Sequence, residues 1–133
     1  MKKHPLDPIL FFRQARLVAA LSNGQRPGKK MGAVLFKGRN QLAYGCNLFN
    51  KTHTLQAKYL NKQFLHAEIN CLLKRRHYDD IGNCSMLVYR EDGEGNPVLA
   101  KPCINCQTIM KEFGIKKVYY SIPNEPYYEI VKL

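Results

Sequence analysis

Hydrophobic and polar positions change period along this chain, from helical spacing to strand spacing and back. Leu10, Phe11, Leu17, Val18 and Leu21 fall at three- and four-residue intervals, which is the pattern of a helix with one apolar face. Asp7 and Pro8 ahead of them suit an N-cap followed by proline at the first helical position, and "SNG" at 22 to 24 suits the helix end. That face is expected to lie on a sheet. "MGAVLF" (31 to 36) and "QLAYGCN" (41 to 47) flank the turn "KGRN" and predict an antiparallel hairpin. Residues 48 to 63 are polar, basic and weakly periodic, a long loop of the kind that often carries function. In "FLHAEINCLL" (64 to 73), Ala67, Ile69, Leu72 and Leu73 mark a buried helix, with "KRRH" supplying positive charge near its C-terminal end. "CSMLVYR" (84 to 90) predicts a third strand, "EDGEGNP" a turn and "VLA" a brief return to strand. "PCINCQTIMKEFGI" (102 to 115) reads as a helix from a proline to Gly114, and "KKVYYSI" (116 to 122) as a strand. The order is α-β-β-α-β-α-β. The tail "PNEPYYEIVKL" has no decisive period.

A chain of 133 residues suits one domain spanning 1–133. Its 21 Lys and Arg against 10 Asp and Glu give a formal charge of +11, which favours anionic partners: nucleotides, nucleic acid or a membrane surface. Asp7, Arg13, Gln14 and Arg16 interrupt the apolar residues after "MKKHP", so no signal peptide or membrane span is expected, and the protein is expected in the cytoplasm. In that reducing compartment five cysteines, an odd number, read better as thiols or metal ligands than as a disulfide framework.

Cys103 and Cys106 stand three apart at the start of a helix. That spacing turns the chain by about 300°, so both sulfurs can grip one ion. His66 and Glu68 are two apart, about 200° around a helix, and can converge only at its first turn. A metal just beyond that helix start could take His66 as ligand, with Glu68 reaching the same space without ligating. Two thiolates and one imidazole leave a fourth zinc position for water, the mark of a catalytic site. Helix starts favour thiolates, zinc brings the pKa of its water towards neutrality, and Glu68 is placed to move the proton.

"HAE" at 66 to 68 with "PCINC" at 102 to 106 resembles the zinc-dependent cytidine and deoxycytidylate deaminase superfamily, with its H-x-E and P-C-x-x-C signature. "GAV" at 32 to 34, "GCN" at 45 to 47 and "FGIKKVYYS" at 113 to 121 are similar to family strands. The resemblance implies an α/β, three-layer α-β-α fold with a mixed sheet of about five strands and helices on both faces. It also implies a Zn2+ cofactor held by His66, Cys103 and Cys106, with Glu68 as proton shuttle. Substrate contacts are expected from Asn47, Ala67 and Pro102, Asn47 meeting the sugar. The implied reaction is hydrolytic deamination of a cytosine nucleoside or nucleotide to its uracil counterpart and ammonia. The same chemistry on single-stranded DNA or RNA, including tRNA adenosine, is the alternative, and a homo-oligomer is compatible with either. A non-catalytic zinc module that binds nucleic acid is a third reading, against which the intact Glu68 counts. Ala100 and Lys101 depart from the more usual serine- or glutamate-containing approach to the proline.

The remaining candidates have plainer readings. Cys46, Cys71 and Cys84 fall in strands or on an apolar helix face and are expected in the core. His4, His53 and His77 lack metal-binding company and are expected at the surface. Lys58, Lys62, Lys74, Arg75 and Arg76 form either a solvated face or a track for a polymer. Tyr119, Tyr120, Tyr127 and Tyr128 are expected to pack rather than stack bases.

Overall fold

Two central strands, β1 (Met31–Lys37) and β3 (Ser85–Arg90), are buried over most of their length, and strands apolar on both faces need cover above and below. The computed structural model describes residues 11–22, 30–48, 66–75 and 82–133. Within them one five-stranded sheet runs in the order β2-β1-β3-β4-β5, where β2 is Asn40–Cys46, β4 is Lys117–Ser121 and β5 is Tyr128–Lys132. β1 pairs antiparallel with both β2 and β3, β3 pairs parallel with β4, and β4 pairs antiparallel with β5. The parallel pair needs a long crossover. The turn at 91–97 and helix α3 (Ile104–Glu112) supply it.

Helix α1 (Phe12–Ala19) covers one face of the sheet, with Phe12, Ala15 and Ala19 against Val34, Leu87 and Tyr89. On the other face, α2 (Ala67–Leu73) and α3 bury Ile69, Leu72, Ile109 and Met110 against Ala33, Leu35, Met86, Val88 and Val118. This is the expected three-layer mixed-sheet architecture, and alternate residues of β1 and β3 feed the two cores. Cys46, Cys71 and Cys84 are buried and not in disulfides, as expected. Tyr120 is buried, Tyr119 packs 5.9 Å from Phe36 and Tyr128 lies 5.9 Å from Phe12, ring centre to ring centre.

Three expectations need correcting. The helix does not run through Phe11, which sits at its N-cap with φ 70°, its ring 4.8 Å from that of Phe36. Nor does the helix bury the leucines: Phe12, Ala15, Val18 and Ala19 face inward, while Leu17 and Leu21 are 60% and 65% exposed. The cause is the closeness of helix and sheet. A Cβ on Gly32 would lie 2.2 Å from the Ala15 carbonyl oxygen, so this face admits alanines and excludes leucines. "VLA" forms no strand, the neighbouring pairing being an isolated bridge between Glu91 and Pro97, and the ambiguous tail contributes β5. Asp7 and Pro8, most of the 48 to 63 loop, Arg76, and His4, His53 and His77 lie outside the described residues. No helix among the described residues is long and apolar enough to cross a membrane.

α2 meets the sheet as closely as α1 does. A Cβ on Gly45 would stand 2.5 Å from the backbone nitrogen of Cys71, and backbone cannot move aside as a flexible side chain can. Gly45→Ala is therefore expected to destabilise the fold by about 1–3 kcal/mol, the usual cost of overpacking. Urea unfolding measures it, and an unchanged midpoint would mean that α2 can lift off β2 without cost.

Candidate metal centre

The direction of α2 fixes where its first turn lies. Asn70 Nδ2 donates to the Cys46 carbonyl at 2.9 Å, and Lys74, four residues on, sits beside Gln41 to Tyr44. α2 therefore runs antiparallel to β2, and its start projects past the C-terminal end of that strand. Asn47 occupies the same rim: its Oδ1 accepts from the Met31 N–H at 2.9 Å, and its own N–H donates to the Met31 carbonyl at 3.2 Å. Ligand sites in open α/β sheets form at such carboxyl ends.

His66 is the N-cap residue of α2 and Cys103 the N-cap residue of α3. Both have extended backbone at that position, with ψ of 149° and 162°. Each side chain is thus released from the helix surface and held in front of the first turn. Cys106 Sγ lies 3.3 Å from His66 Nδ1, and the Cys106 N–H donates to Cys103 Sγ at 3.5 Å. Ligand atoms of His66, Cys103 and Cys106 all lie within 4.8 Å of one another. Cys106 is fully buried and Cys103 exposed, so the cluster opens to solvent on one side.

The donor set fits a divalent ion with thiolate affinity. Two thiols this close resist ionising together, and the Cys106 thiol is pushed up, first by its hydrogen bond with Cys103 and then by burial. A cation between them reverses that, since a coordinating thiol is deprotonated outright. One imidazole and two thiolates are a zinc set with a position to spare.

Glu68, in the first turn of α2, is 2% exposed. Burial pushes its carboxyl up to about 7, against the opposing pull of backbone and Cys106 hydrogen bonds. Such a group holds or releases a proton near neutrality. Ala67 is completely buried behind the His66 turn. Pro102 is buried, and its carbonyl accepts from Gln107 Nε2 at 2.8 Å.

Sequence reasoning missed the residues that hold this geometry. Asn70 ties α2 to β2, Gln107 ties α3 to the segment bearing Cys103, and Gly45 lets α2 close on the sheet. Asn70 carried a readable signal, since an amide inside "EINCLL" must find a partner when buried. Arg75 goes the other way: its Nη1 donates to the Leu72 carbonyl at 2.7 Å and its guanidinium lies 4.7 Å from the Phe113 ring centre. It joins the ends of α2 and α3, about 10 Å along the helix axis from the metal cluster.

A mixed sheet with a metal-donor cluster at two helix starts and a buried carboxyl beside it defines a class of metal-dependent enzyme. The chain belongs to the cytidine and deoxycytidylate deaminase family, whose zinc-binding region matches residues 7–122. It is 28% identical to a dCMP deaminase from the cyanophage S-TIM5 solved in complex with dCMP and dUMP, over 91% of this chain and 85% of that one, with a TM-score of 0.64. The apo form of that enzyme gives 26% identity, 86% and 82% coverage and a TM-score of 0.62. A cytidine deaminase from Burkholderia pseudomallei shares the fold at 17% identity, with 92% and 89% coverage and a TM-score of 0.57. The comparison with curated protein sequences found no match.

Proposed function

We propose that this protein is a zinc-dependent hydrolase that deaminates a cytosine nucleotide, giving the uracil nucleotide and ammonia. The observation that carries this reading is the joint placement of His66, Cys103 and Cys106 within 4.8 Å of one another and the buried Glu68 at the same helix start. In this reading the three residues would hold zinc, which would supply an activated water for attack on the amino-bearing ring carbon. Glu68 accepts a proton from that water and returns it to the ring nitrogen, and a second transfer lets the amine leave as ammonia. The carbon–oxygen bond forms, the carbon–nitrogen bond breaks, and the hydrogens of one water are shared between the ring nitrogen and the departing ammonia. Asn47, anchored on the rim by Met31, contacts the sugar, and Ala67 and Pro102 shape the approach to the metal.

A mononucleotide is preferred to a polymer because Arg75, one of the basic residues that a polymer track would use, is occupied within the fold. Arg75 is committed to Leu72 and Phe113 at the end of α2 remote from the cluster. The likeness to a dCMP deaminase that binds dCMP and dUMP points the same way. Salt separates the two substrates. Between about 50 and 200 mM salt, KM for a cytosine mononucleotide is expected to change only a few-fold. A strand making six phosphate contacts would lose roughly two orders of magnitude in affinity, from a log-log slope of about −0.7 per phosphate. Turnover confined to a cytosine-containing oligonucleotide, with steep salt inhibition, would replace this reading with the polynucleotide one.

A further inference from the structure

The segment leading into the metal helix is held firmly and shows one side to solvent. Val98 donates to the Arg90 carbonyl at 3.0 Å, Ala100 to the Ser121 carbonyl at 3.0 Å, and the Ser121 hydroxyl to the Val98 carbonyl at 2.8 Å. The Pro102 carbonyl is held by Gln107. Along this strap exposure alternates: Leu99, Lys101 and Cys103 are exposed, while Ala100 and Pro102 are buried. In extended chain, residues two apart point to the same side. Lys101 and Cys103 therefore share a side, with Cα atoms about 7 Å apart at most. Among the described residues, no carboxylate forms an ion pair with Lys101.

We propose that Lys101 is the residue that reads the phosphate of the nucleotide substrate, a specificity-determining contact. The inference rests on the cytosine nucleotide reading above. With the base at the metal, the phosphate lies a sugar's length away on the open side of the cluster. A lysine stem rooted beside Cys103 on that side reaches that distance. An ammonium that no described carboxylate ion-pairs is available for a charge-assisted contact with phosphate. The anchored strap fixes its root, so less freedom is lost on binding. The Asn47 amide across the rim holds the sugar, and Lys101 holds the charge beyond it.

The test compares nucleotide and nucleoside in wild type, Lys101→Gln and Lys101→Arg, all loaded with one zinc per chain. Lys101→Gln is expected to raise KM for the cytosine mononucleotide about tenfold, at the low end for a hydrogen bond to a charged group because the site is solvated. Its kcat/KM for the nucleoside is expected to stay unchanged, and Lys101→Arg to recover most of the loss. Binding of the product, a uracil mononucleotide, is followed by calorimetry and weakens by the same factor, while binding of the uracil nucleoside does not. Equal losses for nucleotide and nucleoside would make Lys101 structural, and no loss for either would overturn the assignment. An oligonucleotide as the only ligand whose binding Lys101→Gln weakens would also overturn it. Failure of the deaminase reading is separately visible as wild type that binds nucleotides and turns over none.

Discussion

Glu68→Gln is expected to fold, hold one zinc and lose turnover by about a thousandfold or more. General acid–base catalysis by a placed side chain is worth roughly 10²–10⁴ in rate, and here the same group both takes the proton from the attacking water and delivers it to the base. Glutamine keeps the shape of the side chain at this buried position and can accept no proton. The zinc content should survive, because His66, Cys103 and Cys106 are the side chains whose ligand atoms converge and Glu68 is not among them. Metal analysis, a thermal melt and a discontinuous ammonia assay on the same preparation decide the matter. Loss of zinc in this variant would make Glu68 a ligand. Activity near wild type would remove it from the mechanism.

The placement of the cluster at helix starts was legible from helix geometry, and the meeting of His66 with Cys103 and Cys106 from the motif resemblance. His66 and Glu68 cannot face one way inside a helix, so a shared site required a helix start, and His66 is the N-cap residue of α2. Cys103 does the same for α3. β1 and β3 were equally legible, because strands buried on both faces read as continuous apolar runs bounded by turns, and β2 was legible from the turn "KGRN" that precedes it. Tertiary closeness was not legible. The leucines of α1 outrank its alanines on any hydrophobicity scale, yet where Gly32 brings the helix against the sheet the positions in contact are Ala15 and Ala19. The tail failed for a related reason. β5 is an edge strand with Glu129, Ile130 and Lys132 exposed, and a strand covered on so little of its surface keeps only part of an alternating pattern. Lys101 shows the same limit in reverse: its identity marked it as a departure, and its side became readable only from the burial of Ala100 and Pro102.

Removing the metal should have an effect as large as removing Glu68, and on stability as well as rate. Purified protein is expected to carry one zinc per chain, and His66→Ala, Cys103→Ala and Cys106→Ala each to lose most of it, together with essentially all turnover. Cys106 is fully buried and Cys103 exposed. Cys106→Ala therefore opens a gap within the core beside Ile109 and Met110 and should destabilise the fold as well, whereas Cys103→Ala costs the fold only the cap contact with the Cys106 N–H and otherwise reports the metal. A ligand bound only by the folded chain raises stability with its concentration, by about 4 kcal/mol at a thousand times its Kd. The wild-type melting temperature should accordingly climb with added zinc, and that of Cys103→Ala should stay flat. Cys84→Ala, which removes a buried thiol outside the cluster, is the control: it should keep its zinc and its dependence on zinc even where cavity formation lowers its melting point. Protein that remains folded and fully active after exhaustive chelation, with no metal left by direct analysis, would leave the three side chains a structural coincidence and the proposed chemistry without its source of activated water.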